Sequence, residues 1–534
     1  MQKELIAFIQ KFESVVQPLT KASSLAYWNA SISGNEEDWK KSEELNIELT
    51  KVFADKKDFA ILKRIKESGA ITDELLKRQL DVMYDAYLGN QVDTGLLNSV
   101  ISMQTEIEQK YSNFRADVNG KKLSDNEVEE VLKTFTSSVE LKQAWDGHKA
   151  IGPLVALDII NLVKKRNEIA QQLGFNNYHE MSLKLSEQDP EEISALFDEL
   201  DTLTRDSFAG LKSEIDAYLS KRDNVKAEEL MPWHYQNRFF QEPPAIYSID
   251  LDKYYQDRNI ETLTTDYYLS IGLDIRDMLA KSDLYEKPAK NQHAYCIDID
   301  NQGDVRVLCN IKPNQSWMGT MLHEFGHANY DKYIDQQLPF VLRNPAHTFT
   351  TEAIAMFFGR MSSNAGFLVD MKLTDTADAN KVAAEGFKVL RLEQLTFSRW
   401  AQVMYRFEKA LYTNPDQDLN TLWWDLVEKY QMIRRPANRN QPDWASKIHI
   451  ATSPCYYHNY LLGELLASQF NYYLAETILK SDDFGQSYFG KKEVGNYFID
   501  NVFNPGSRYS WNEMIEKATG EKLTARYYAE QFVK

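Results

Sequence analysis

Apolar residues recur at three- and four-residue intervals through most of this 534-residue chain, and that spacing commits the polypeptide to helices. The stretch 189–204, DPEEISALFDELDTLT, is representative. Asp189 can accept from the first free amides and Pro190 suits the first helical position. Ile193, Leu196, Phe197, Leu200 and Leu203 then fall on one face. Residues 74–88 and 98–118 have the same character. With 22 glycines and 15 prolines in all, the chain lacks the turn residues of a large β-protein. No repeat, low-complexity segment or Pro/Gly/Ser-rich linker divides it. The expected fold class is mainly α, as one large domain over 1–534. One segment breaks the pattern: 293–312, HAYCIDIDNQGDVRVLCNIK, alternates polar and apolar residues on both sides of Asn301-Gln302-Gly303-Asp304. That pattern predicts a β-hairpin.

Charge narrows the choice of partners. Seventy-nine acidic against 61 basic side chains leave a net −18, which suits neither a nucleic-acid backbone nor an anionic membrane. No uncharged apolar run approaches the ~18 residues a spanning helix needs. The opening MQKELIAFIQKFESVV mixes charge with apolar residues and lacks the unbroken apolar core of a secretory signal. A cytoplasmic protein is expected, or one whose signal has been removed. Three cysteines, Cys296, Cys309 and Cys455, do not make a disulfide framework, although Cys296 and Cys309 are placed to bridge the two hairpin arms.

Residues 323–327 read His-Glu-Phe-Gly-His. On a helix, positions i and i+4 lie on one face about 6 Å apart, so the imidazoles of His323 and His327 can reach one ion. Zinc accepts two neutral imidazoles and a carboxylate and leaves a position open for water. Glu324, beside the first ligand, is the candidate general base, and afterwards the acid that protonates the leaving amine. A third ligand is required. Glu352 lies in a strongly apolar helical stretch, where a carboxylate is costly unless a cation or the helix N-terminus compensates it. His347, in a loop-like stretch, is the weaker alternative.

His323-Glu324-x-x-His327 followed by Glu352 resembles the Glu-zincin metallopeptidases. Further segments resemble the angiotensin-converting-enzyme family of peptidyl-dipeptidases: AYWNASISGN near the N-terminus, LPFVLRNPAHTFTTEAIA from Leu338, and WWDLVEKYQMI followed by SKIHIATSPCYYHNYLLGELLASQF. The likeness runs from about residue 25 to 470. It implies a helical ellipsoid with a deep central channel, an N-terminal helical lid region (1–120), a substrate-binding hairpin (293–312) and zinc-ligand helices (319–360). It also implies one zinc per chain. His293 and Ala294 match the substrate-binding edge of the hairpin. Lys447 and Tyr457 match the group that holds a substrate's C-terminal carboxylate, and Gln236 joins them if the match is shifted by one residue. His449 and Tyr460 match the pair that stabilises the oxyanion.

The sequence departs from that pattern in four respects. Val427 and Asn459 stand where animal members carry chloride-binding arginines, so little chloride activation is expected. Met356 stands where a carboxylate supports a zinc ligand. Gln292 removes the cysteine that precedes the substrate-binding His. The HEFGHA string is itself closer to the thimet-oligopeptidase and oligopeptidase F group. The expected function is a monomeric zinc peptidase acting on short unstructured peptides and releasing C-terminal dipeptides. The alternatives are an oligopeptidase that cuts internal bonds and a non-catalytic peptide-binding protein.

Overall fold

Helix after helix begins where a short polar side chain can satisfy the free amides of the first turn. Asp73, Asp93, Asn177, Asn259 and Asn314 all accept from a backbone N–H two or three residues inside the helices they open. At the predicted Asp189 cap the carboxylate accepts from Glu191 and Glu192, and the helix Pro190–Asp223 continues well beyond the segment read from the sequence. The computed structural model describes residues 1–247 and 249–533. It is 67% helical, and the two small antiparallel sheets are the only ones among the described residues. None of the described helices is long and apolar enough to cross a membrane.

The chain divides into two compact units, each assembled from three separate stretches. Unit 1 comprises residues 1–91, 249–386 and 462–527. Its N-terminal core joins Leu5, Phe8, Phe12 and Val16 of the helix Gln2–Ser33 to Leu62, Ile65, Leu80, Met83 and Tyr87, with Phe340 from a distant stretch. Near the end of that first helix Trp28 is 4% exposed and packs with Ile299 and Leu308, flanked by Tyr295 and Ile297. The AYWNASISGN segment therefore braces the hairpin, and Lys21 adds an ion pair to Asp300 at 3.1 Å.

The hairpin has the predicted period and turn. Tyr295–Asp298 pairs with Val305–Leu308, in register Tyr295 to Leu308 and Asp298 to Val305. Two expectations on it need correction. His293 and Ala294 precede the first strand rather than lying on it, and His293 is exposed. Cys296 sits opposite Val307, not Cys309, because Cys309 lies beyond the second strand; all three cysteines are free thiols.

Unit 2 comprises residues 92–248, 387–461 and 528–534. Phe197 of the helix Pro190–Asp223 packs its ring 4.5 Å from Tyr405, and Gln402 donates to the Phe197 carbonyl at 2.6 Å. The buried Arg399 pairs with Asp201 between the same two helical segments. A buried pair of this kind adds little net stability, but removing either partner leaves the other charge uncompensated.

Candidate active site

In unit 1 the helix Gln315–Lys332 carries His323, Glu324 and His327, and the helix Thr348–Gly359 carries Glu352. Asn314 caps the first helix through the Trp317 amide. His347 caps the second, its Nδ1 accepting from the Phe349 amide at 3.1 Å, which accounts for this histidine without a metal role. The two helices cross very closely at Gly326. A Cβ there would lie 2.9 Å from Ala355 Cα and 3.3 Å from the Ile354 carbonyl oxygen. From the other side, Gly463 lets its helix approach to where a Cβ would meet Met356 Sδ at 3.2 Å and Glu352 Cβ at 3.3 Å.

This crossing brings the three expected ligands together. Glu352 Oε2 lies 3.7 Å from His323 Nε2 and 3.9 Å from His327 Nε2. All three donor atoms fall within 4.8 Å of one another, and no other group of three or more such side chains among the described residues does so. Tetrahedral zinc at its usual bond lengths holds ligand atoms roughly 3.3 Å apart, so a small closure would complete the set. Burial lowers His323 to about 4 and His327 to about 3, leaving both imidazoles neutral with a lone pair to give. Burial also raises Glu352 to about 7, as expected of a carboxylate that awaits a cation. Glu324 is 8% exposed; burial, with the charge of Glu352 adding, raises it to about 8. The donor set fits a zinc ion.

His323, Glu324, His327 and Glu352 line one side of a cavity of about 710 Å3. Ala294 and the hairpin strand Tyr295–Asp298 line another, with Arg343, Asn344 and Thr351 completing it. The outer edge of the second strand is occupied, since the Asp283 amide donates to the Val307 carbonyl and the Cys309 amide to the Asp283 carbonyl. Among the described residues no strand pairs with the outer edge of Tyr295–Asp298.

The other expected residues lie in unit 2. Lys447 is 6% exposed and sits among the rings of Phe239, Trp400 and Tyr457, with Nζ 5.1, 5.3 and 5.6 Å from their centroids. Its hydrogen-bond acceptor is Gln241 Oε1 at 2.6 Å, a neutral amide. Burial lowers this ammonium to about 8; Arg238 adds to the shift, while Glu129 and Glu242 oppose it. The Tyr457 ring lies 5.4 Å from His449 and 5.5 Å from Tyr460. His449 Nδ1 is buried without a hydrogen-bond partner, and burial lowers the ring to about 4. Burial raises the Tyr457 phenol to about 12, so it remains a donor. Two buried side chains fasten the segment that bears these groups: Arg166 donates to the Ala451 carbonyl, and Glu408 accepts from the Cys455 amide at 3.0 Å.

Gln236 is not part of this group. Its amide donates to the Lys133 carbonyl at 2.8 Å, and the glutamine beside Lys447 is Gln241. Both Gln236 (φ 59) and Phe240 (φ 51) adopt left-handed backbone, which turns the strap between them and exchanges the roles of the two glutamines. Neither position is a glycine or asparagine, the residues that would have signalled such a turn. Thr351, whose Oγ1 is 2.7 Å from His327 Nδ1, was likewise not singled out by the sequence. Val427 is buried, and the Asn459 carbonyl oxygen accepts from Gln188 at 2.8 Å, so neither offers a cation.

A model of the angiotensin-converting enzyme family of peptidases matches residues 1–532. The chain belongs to this family, one of zinc metallopeptidases. It is similar to the angiotensin-converting enzyme of Rattus norvegicus, at 24% identity over 98% of this chain and 42% of that protein. The Sus scrofa enzyme is 23% identical over 96% of this chain and 41% of its own length. The angiotensin-converting enzyme-like protein Ace3 of Mus musculus is 21% identical over 74% of this chain and 57% of its own. The chain thus spans less than half the length of the first two relatives.

The crossing at Gly326 yields a test. Gly326→Ala gains about 1 kcal/mol of helix propensity but forces a methyl against backbone, for a net cost of about 2 kcal/mol. The expected result is a melting temperature about 2–3 °C lower by calorimetry; an unchanged value would show that the helices tolerate a wider separation.

Proposed function

We propose that this family member is a zinc-dependent peptidase that removes dipeptides from the free C-termini of short unstructured peptides. One observation favours this reading over internal cleavage: Lys447 is a buried ammonium whose contacts are three rings and a neutral amide. A desolvated cation without a contacting carboxylate is costly, and a substrate carboxylate is the ligand that would relieve it. Tyr457 supplies a phenol donor beside it and Gln241 an amide.

His323, His327 and Glu352 would hold the zinc. When bound, the ion supplies Lewis-acid polarisation of the scissile carbonyl and lowers the pKa of a water molecule. Glu324, which lines the same cavity, would take a proton from the attacking water and deliver it to the departing amine. The open strand edge at Tyr295–Asp298 receives extended backbone by strand addition, which reads shape rather than side chains. The family likeness of His449 and Tyr460 assigns them to the oxygen that gains charge; one such neutral donor contributes ~3 kcal/mol. A carboxylate clamp two residues beyond the scissile bond, as the same likeness implies, makes the product a dipeptide.

Amidating the substrate's C-terminus is expected to lower kcat/KM about 100-fold, the weight of one buried charge-assisted contact. Lys447→Met should lose about as much on free peptides and little on amidated ones. Equal cleavage of both substrates by the wild-type protein would move it to internal cutting.

The pH profile follows from Lys447, whose ammonium is charged below about 8 and lost above it. In kcat/KM, which reports the free enzyme, peptides with a free carboxylate should show a falling limb above about pH 8. Amidated peptides should lack it, and a limb shared by both substrates would assign the titration elsewhere.

Asn459, Gln188 and His458 form a buried chain, with Gln188 Oε1 2.7 Å from His458 Nε2, and the Asn459 and Gln188 amides carry no charge that could hold an anion. Activity at constant ionic strength is therefore expected to stay within twofold when chloride replaces acetate. A tenfold rise would reveal an anion site.

A further inference from the structure

A ring that gives one nitrogen to a metal must find a partner for the other, since a buried imidazole N–H left alone is destabilising. At His327 that partner is visible. Nε2 faces Glu352, 3.9 Å from its Oε2, while Nδ1 lies 2.7 Å from Thr351 Oγ1. Thr351 and Glu352 are consecutive residues of the helix Thr348–Gly359, so one helix addresses both nitrogens of one ring. Met356, a turn further on, has no acceptor of comparable strength; its thioether packs at Gly463.

We infer that Thr351 is a positioning residue for the metal centre, accepting the Nδ1 proton of His327 and so presenting Nε2, with its lone pair, to zinc. The inference rests on the zinc reading above. A hydroxyl in this place fixes the tautomer and the ring angle without adding negative charge. Glu352 then remains the one anionic member of the ligand set, and the ion keeps more of its Lewis acidity than a second carboxylate would leave it.

The test is zinc affinity, measured by competition with a chromophoric chelator on metal-stripped wild type, Thr351→Val and Thr351→Ser. Thr351→Val keeps the shape and loses the acceptor, and should weaken zinc binding 10–100-fold. Thr351→Ser keeps the hydroxyl and should stay within threefold of wild type. Melting of the metal-free proteins separates this role from a structural one: metal-free Thr351→Val should melt within about 3 °C of metal-free wild type, the shift that one unpaired N–H allows in a chain of this size. If its melting temperature falls further than that, Thr351 is a packing residue and the inference is overturned. Tight zinc in wild type with an unaffected Thr351→Val overturns this inference alone. A wild-type chain that takes up no zinc overturns the metal reading and this inference with it. Should Thr351→Val fail to fold, 15N spectra of metal-free wild-type histidines decide: His327 carrying its proton on Nδ1 supports the assignment, and on Nε2 refutes it.

Discussion

Two helices that pass within a methyl group of each other set the terms for the chemistry in unit 1. Imidazoles a turn apart on one helix need a third ligand from a different helix, and Glu352 reaches them because Gly326 allows its helix against Ala355. The same proximity encloses the donors: burial keeps both histidines neutral and leaves Glu352 reluctant to ionise alone. A cation resolves that tension, because it accepts the lone pairs and compensates the carboxylate at once. Packing and coordination here are one arrangement seen from two sides.

Much of this was legible in the chain before any coordinates. The helical class followed from three- and four-residue spacing, the hairpin from period-two alternation about Asn301–Asp304, and the cluster of candidate ligands from the types and spacing of His323, His327 and Glu352. Local signals of this kind survive because the same backbone hydrogen bonds that produce them also place the side chains. Legibility failed where a contact depended on backbone direction. Gln236 and Gln241 are equally plausible amides, and the choice between them rests on left-handed residues that no glycine announces. Cys296 and Cys309 flank a hairpin, yet Val307 occupies the facing position and leaves both thiols free. Thr351 was hidden beside the residue that drew attention, since adjacent helical positions point about 100° apart and only the crossing angle lets both serve one ring.

Unit 2 handles charge differently. Lys447 is kept among rings with a neutral amide, which preserves its need for an anion, whereas the Asn459–Gln188–His458 chain satisfies its members internally. The first arrangement leaves a buried ammonium with a neutral acceptor and no contacting carboxylate, and the second pairs neutral amides with one another and with an imidazole.

The order of the segments along the chain carries a consequence for how the protein is made. Unit 1 begins at residue 1 but is not complete until residues 462–527 have been added, after most of unit 2. Gly463, which closes over Glu352, and Glu464, which pairs with Arg360, both arrive more than a hundred residues after the ligand helix they secure. During synthesis His323, His327 and Glu352 therefore exist for many seconds, at ~5–20 residues per second, without the helix that backs them. A nascent chain in that interval has the three candidate ligands and an unfinished wall, so roughly the last seventh of the polypeptide determines when they are rigidly backed.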